Sequence, residues 1–219
     1  MSRLEFALRQ LAEGQFVDAV RFTEAHEALS TPEGREAASK WLEAIGYRLC
    51  QLEQGGAFFM AYGHLDQDAR TKVKEEMRQL RGRLQPSVSF METLRQAQGS
   101  AAQLQPSDLL PLGQLMEAVR ADASLEQRLQ DLRDIPGAKA SESAPDRLSH
   151  ILAWLEREGY LVEQNASHKV YQVTGKITYL YQLLQFMAEN VPQLAEEGVS
   201  DQLEQLTIDI AGGPAGAAQ

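Results

Sequence analysis

The sequence predicts a mainly helical α+β chain built from two similar units, each a set of helices followed by a short β-hairpin. Three observations predict it. Within residues 146–158, Leu148, Ile151, Leu152 and Leu155 fall at spacings of three and four with Trp154 beside them, and Gly159 follows where a helix stops. Leu161, Val170 and Val173 then lie in two short segments around the polar turn Asn165-Ala166-Ser167-His168. The same order of helix, glycine and hairpin occurs again at residues 33–62. A helix running straight into a β-hairpin is the closing half of a winged-helix unit. The expected fold is therefore α+β, mainly helical, with tandem winged-helix domains and short β-hairpin wings.

The N-terminal unit opens with a helix over residues 2–13 and a short extended segment at Gln15-Phe16-Val17. Asp18 is placed to cap a second helix ending near residue 29. Thr31-Pro32 supplies an N-cap and a proline at the first position of a third helix. Ala37, Ala38, Trp41, Leu42 and Ile45 give that helix its apolar spacing, and Gly46 ends it. Residues 47–53 alternate as a strand, Gln54-Gly55-Gly56 suits a tight turn, and AFFMAY returns as a β-rich strand. The likeness between the two units is read as one of architecture, not of sequence.

Residues 65–84 read as one helix with an apolar stripe of Val73, Met77, Leu80 and Leu84. Beside it runs the only strongly basic segment of the chain: Arg70, Lys72, Lys74, Arg78, Arg81 and Arg83, against two acidic residues. These six are candidates for contact with DNA or an acidic partner. The alternative is a solvated face with pairs such as Lys72–Glu76. Pro86 is expected to end this helix and start another over residues 87–98. A loop at 99–107 precedes a helix to residue 120 whose core face is Leu109, Leu112, Leu115, Met116 and Val119. A shorter helix at 124–133 follows. Residues 135–146 are poor in apolar side chains and are expected to form a flexible, protease-sensitive loop.

From residue 174 to 190 a last helix carries Ile177, Leu180, Tyr181, Leu184 and Met187 on one side and Tyr179, Leu183 and Phe186 on adjacent faces. Apolar cover on more than one face suits a dimer or partner interface, with Tyr179, Leu180, Leu183, Leu184 and Phe186 as its candidates. The alternative is a helix sandwiched between the two units. The domain boundaries read as 1–84, 85–192 and an acidic, partly disordered tail at 193–219 with a short helix near 201–210.

The chain has 219 residues, 43% hydrophobic, and a net charge of −10. Residues 1–84 hold 12 Lys/Arg and 13 Asp/Glu, and residues 85–219 hold 9 and 18, so the acidity sits in the second half. Phosphate contacts supply most non-specific DNA affinity, so DNA contact requires a local patch or a basic partner. No apolar run of about 18 residues or signal-peptide core is present, which gives a cytoplasmic expectation without membrane contact. The single cysteine, Cys50, reads as a small core residue. His26, His64, His150 and His168 stand in no zinc-binding spacing, and no phosphate-binding glycine loop or nucleophile elbow appears. The charged clusters around His26 and Arg157 read as solvated helix faces. No cofactor, metal or catalytic constellation is expected, and the chain is not read as an enzyme. His168, with the adjacent Lys169, sits at the second hairpin turn, where a wing meets a DNA groove.

Two segments resemble one family. LRQLAEGQFVD…WLEAIGYRLCQLEQGGAFFMAY is similar to its opening, and LSHILAWLEREGYLVEQNASHKVYQVTGKITYLYQLL to its C-terminal wing and following helix. The family is that of the MukE/MksE subunits of bacterial condensin-type SMC complexes, the tandem winged-helix kite proteins; size and C-terminus look closer to MksE. The resemblance implies a subunit without ATPase activity that forms a homodimer and binds a kleisin bridging the heads of the SMC ATPase. It further implies help in holding DNA on those heads, a nucleoid-associated location, and, in some such complexes, a nuclease partner and a role against plasmids. It assigns no individual functional residue.

The runner-up is a dimeric winged-helix transcription regulator reading operator DNA through residues 33–45 or 146–158. The first offers Arg35 and Lys40 against Glu33, Glu36 and Glu43, and the second Arg147 and Arg157 against Asp146, Glu156 and Glu158. Neither is basic enough to favour groove insertion. A scaffold with no DNA role is a further alternative, and an enzyme with a dispersed site the last.

Overall fold

The structure, a computed structural model, describes residues 2–53, 56–64, 66–99, 102–132, 135–139, 141–165 and 167–190; the side chains at 68–70, 73–74, 76–85 and 187–190 are outside the description. The fold is α+β and mainly helical, with two small antiparallel sheets among the described residues.

α1 (Arg3–Ala12) starts at Ser2 with a reciprocal capping box to Glu5. Val17 then makes a single bridge to Phe58. Asp18 does not cap a helix directly. Its Oδ1 accepts the N–H groups of Val20 and Arg21 (2.8 and 3.0 Å), so the chain makes a tight turn before α2 (Thr23–Ser30) begins. α3 (Pro32–Ala44) is capped by Thr31, whose hydroxyl accepts from Gly34 N–H (3.0 Å). β1 (Tyr47–Gln51) and β2 (Phe58–Tyr62) pair from Tyr47↔Tyr62 to Gln51↔Phe58. Ala7, Leu11, Val17, Ala25, Leu29, Ala38, Leu42 and Phe58 form the core of this unit. On α3 the buried line is Gly34, Ala38 and Leu42, whereas Ala37, Trp41 and Ile45 face outward.

α4 (Gln67–Ala97) corrects the expected break at Pro86. It is one helix of 31 residues with Pro86 inside it. Proline removes a single backbone donor, and the turns after it are held in place by Val88, Phe90, Met91 and Leu94, all buried in the second core. The boundary drawn at residues 84/85 thus falls within a helix.

A short strand, β3 (Leu109–Pro111), stands where a helix start was expected. Its Leu109 is 54% exposed and is not a core residue. α5 (Leu112–Ala121), α6 (Ala123–Asp131) and α7 (Ala144–Arg157) follow, then the hairpin β4 (Leu161–Asn165) and β5 (Val170–Val173). The sheet order is β3-β5-β4, with Leu110 opposite Tyr171. α8 (Lys176–Asn190) closes the described chain. The tail from 193 and its helix near 201–210 lie outside the described residues.

The two units repeat one topology: a helix, a short extended piece that pairs with the second hairpin strand, further helices, and the hairpin. With the two units aligned on Gly46 and Gly159, the turn that leads into each hairpin carries a sequence repeat that reading by element order passes over. Trp41-Leu42-Glu43 and Gly46-Tyr47 recur as Trp154-Leu155-Glu156 and Gly159-Tyr160. The glycines have φ of +83° and +82°. Each N–H bonds the equivalent carbonyl, Glu43 and Glu156, at 3.0 and 2.9 Å. Leu42 and Leu155 are both fully buried. The motif ends a helix and turns it into a strand, and glycine is required by the left-handed backbone.

Candidate functional site

The units meet in an aromatic joint. The ring of Tyr179, on α8, lies 4.9 Å from Phe16 and 5.8 Å from Phe59, which themselves stack at 5.2 Å. Lys176 Nζ stands 5.6 Å over the Phe16 ring and 4.8 Å over Tyr160, and it donates to the Glu158 carbonyl. At the start of α8 the backbone of Gly175 passes so close that a Cβ there would sit 2.9 Å from Asp18 Cβ and 3.2 Å from Ala57 Cβ. Only glycine permits that approach. A cleft of about 380 Å³ opens beside the joint, lined by Asp18, His26, Glu53, Gln105, Ser107 and Thr178 among others.

These contacts decide the interface candidates. Leu180, Leu183 and Leu184 are buried in the chain's own core, against the second half of α4 and the hairpin unit. They are core residues, and Tyr179 packs against the N-terminal unit, so the sandwiched alternative describes this part of α8. Phe186 differs, with 54% of its surface exposed.

The basic stripe lies on α4. Lys72 is exposed, while the side chains of Arg70, Lys74, Arg78, Arg81 and Arg83 lie outside the described residues. His168 and Lys169 are exposed at the tip of the β4–β5 hairpin. The His168 N–H donates to Asn165 Oδ1 (3.0 Å), and Lys169 takes a positive φ of 46° while its carbonyl accepts from Leu112 N–H (3.0 Å). The stripe and the turn are carried by different elements, a helix and a wing.

Of the bases on the two helices considered for groove reading, Arg157 is exposed, and the other three are engaged within the chain. On α3, Lys40 pairs with Glu36 (2.6 Å) and the Arg35 guanidinium lies over the Phe58 ring at 5.6 Å. On α7, Arg147 is buried. Its guanidinium donates to the carbonyls of Leu129 (2.8 Å), Lys139 (3.3 Å) and Leu132. That fork pins the α6–α7 connection, which Ile135, buried, and the His150–Glu142 pair (3.2 Å) also hold. The connection expected to be loose is thereby anchored at several described points. Sequence reading counted Arg147 among the bases of this helix by its charge, although its place on the buried line, one turn before Ile151, points inward.

Among the described residues, protonation is displaced at Glu92, Tyr181 and Tyr171. Burial pushes the Glu92 carboxyl up, but the Arg95 hydrogen bonds (2.7 and 2.9 Å) and charge, with Gln96 and Arg128, hold it below its ordinary range. Burial raises Tyr181, helped by Asp108, and burial with Glu163 and Glu156 raises Tyr171. None of the three moves toward neutrality, where acid–base catalysts work. Among the described residues no group of three or more His, Cys, Asp or Glu is placed to hold a metal ion. No helix among them is long and apolar enough to cross a membrane. The chain matches no protein-family model and no curated protein.

Proposed function

We propose that the chain is a non-catalytic kite subunit of a condensin-like SMC complex, of MksE/MukE type. In this reading both units are winged helices, the chain forms a homodimer, and it binds a kleisin and helps the SMC ATPase hold DNA. The observation that supports it most is the tandem repeat: two units of one topology, sharing the Trp-Leu-Glu-x-x-Gly-Tyr turn, joined by one long helix and an aromatic joint. The pairing of Val17 with β2 and of β3 with β5 is the pairing a winged helix uses. The exposed hairpin tip with His168 and Lys169, together with the basic stretch of α4, gives DNA a place beside a basic partner.

A dimeric operator-binding regulator is the weaker reading. Its recognition helix would be α3 or α7, where Lys40 is paired, Arg35 lies over a ring and Arg147 is buried, which leaves Arg157 as the exposed base.

Affinity purification from the native cell, with mass spectrometry of what accompanies the chain, tests the proposal. Recovery of a large coiled-coil ATPase and a kleisin supports it, and an added nuclease assigns it to plasmid defence. Recovery of the chain alone, as a dimer that shifts one DNA fragment, replaces it with the regulator.

A further inference from the structure

Both units build the cleft of about 380 Å³ beside the aromatic joint. The first contributes Asp18, His26 and Glu53, and the second Gln105, Ser107 and Thr178. Its volume suits a small organic molecule, and a seam between packed units is a common place for such a site. Packing and backbone bonds set the walls in advance. Gly175 lets the start of α8 approach Asp18 and Ala57. Ser107, at a φ of +77°, is pinned on both sides: its N–H donates to the Val173 carbonyl (2.8 Å) and its carbonyl accepts from Gln172 Nε2 (3.2 Å).

Asp18 gives the cleft its chemistry. It is 3% exposed, and its Oδ1 is taken by the N–H groups of Val20 and Arg21. Its Oδ2 has no hydrogen-bond partner. Among the described residues the only enclosed side-chain nitrogen or oxygen without a partner is Glu142 Oε2. Asp18 Oδ2 therefore meets accessible space, and at Asp18 that space is the cleft. A carboxylate oxygen so far from bulk water is costly unless a donor reaches it. The side chains of Glu53, Gln105, Ser107 and Thr178 on the same walls are also without hydrogen bonds. One water can satisfy one oxygen, but these acceptors surround a space much larger than a water.

The charge of the lining selects the ligand. Two carboxylates and no lysine or arginine stand among the described residues that line the cleft. Arg21, three residues after Asp18, is directed elsewhere, donating to Gln15 (3.1 Å) and lying over Phe22. Lys176, next to Gly175, lies over Phe16 and Tyr160. We propose that the cleft binds an alkylammonium group, with Asp18 Oδ2 accepting its charge-assisted hydrogen bond and Ser107, Thr178 and Glu53 supplying further acceptors. A guanidinium fits less well. Its planar fork engages both oxygens of a carboxylate, and Asp18 has one to give, which suits the compact ammonium. The ligand touches both units, so its binding tightens the joint. The site goes beyond the SMC role and does not depend on it.

Calorimetric titration of the full chain tests it, with 1,4-diaminobutane, the methylamides of acetyl-lysine and acetyl-arginine, and uncharged butanol as probes. At least one of the two amines binds with a Kd below about 1 mM, and butanol does not bind. Amide resonances of Val20, Ser107 and Thr178 move on binding. Asp18→Asn keeps the acceptor for the Val20 and Arg21 N–H groups but removes the charge, and it raises Kd at least about tenfold. Glu53→Gln, at an exposed position, raises it about threefold. If circular dichroism shows Asp18→Asn to be unfolded, Thr178→Val, which keeps shape and loses the hydroxyl, takes its place and weakens binding. Tighter binding of the diamine assigns the site to a free amine, and tighter binding of the lysine derivative to a basic side chain of a partner. No saturation by either amine up to about 10 mM, resonance changes away from the cleft, or a folded Asp18→Asn with unchanged Kd overturns the proposal. An arginine derivative that binds as well as the lysine one overturns the choice of ammonium. None of these outcomes depends on whether a kleisin and an ATPase accompany the chain from the native cell, so the two readings fail separately.

Discussion

The Tyr179 ring lies 4.9 Å from the Phe16 ring, and through that contact the last described helix holds the first unit against the second. With Phe59 at 5.8 Å the three rings form one cluster. Tyr179→Ala removes most of it. The expected cost is about 2 kcal/mol, below that of a fully buried aromatic because the ring is half-buried. Hydrogen exchange checks this: amides around Phe58 and Gly175 lose protection while those around Leu155 keep theirs. Equal loss everywhere would mean that the joint carries no separate stability.

Arg147 gives a second prediction. Its buried guanidinium donates to three backbone carbonyls, so Arg147→Ala takes a donor from each, and of the three the Lys139 carbonyl alone keeps another partner, the Glu142 N–H; the expected cost is about 3 kcal/mol. Arg147→Lys rescues little, because an ammonium lacks the planar fork that reaches Leu129, Leu132 and Lys139 together. Limited proteolysis reads the outcome directly as faster cleavage between α6 and α7. A lysine variant as resistant as the parent would show that charge alone holds the connection.

The third concerns acid. Despite its burial, Glu92 is held below its ordinary range by Arg95. A depressed folded value contributes stability that is complete above the unfolded value, about 4.3, and is lost as pH falls through the lower folded value. Denaturant melts of the parent and of Glu92→Gln should therefore differ most at neutral pH and converge as the solution is acidified below about pH 4. A gap that stays constant with pH would assign the difference to packing.

The fourth concerns DNA. Charge reversal at Arg70, Lys74, Arg78 and Arg81 should weaken DNA binding by the assembled complex and flatten its dependence on salt, because fewer counterions are released. Binding titrations from about 50 to 200 mM salt measure both. An unchanged slope would remove the stripe from the DNA path.

Much of this architecture is legible in the sequence where periodicity and punctuation agree. Thr31-Pro32 and Gly46 bracket α3, and Gly159 stops α7, because caps and positive-φ turns are local. β3 is not legible. It has three residues, ends in proline, and exists only because β5 pairs with it. Pro86 reads as a stop, but tertiary burial of Phe90 and Leu94 overrides the local signal. Leu180 and Leu184 show a further limit: apolar spacing marks a covered face without saying what covers it, and here the cover is the chain itself. Trp41 and Trp154 read alike in sequence, and only three dimensions tell the buried indole from the open one.

The unbroken run of α4 has a mechanical consequence. Its 31 residues make a rod about 46 Å long, with the cationic charge toward one end and Phe90 and Leu94 embedded near the other. A ligand that grips the charged end acts on a lever whose fulcrum is the second core. Pro86, which lacks one hydrogen bond, lies between the two ends, at the point where such a rod bends most easily.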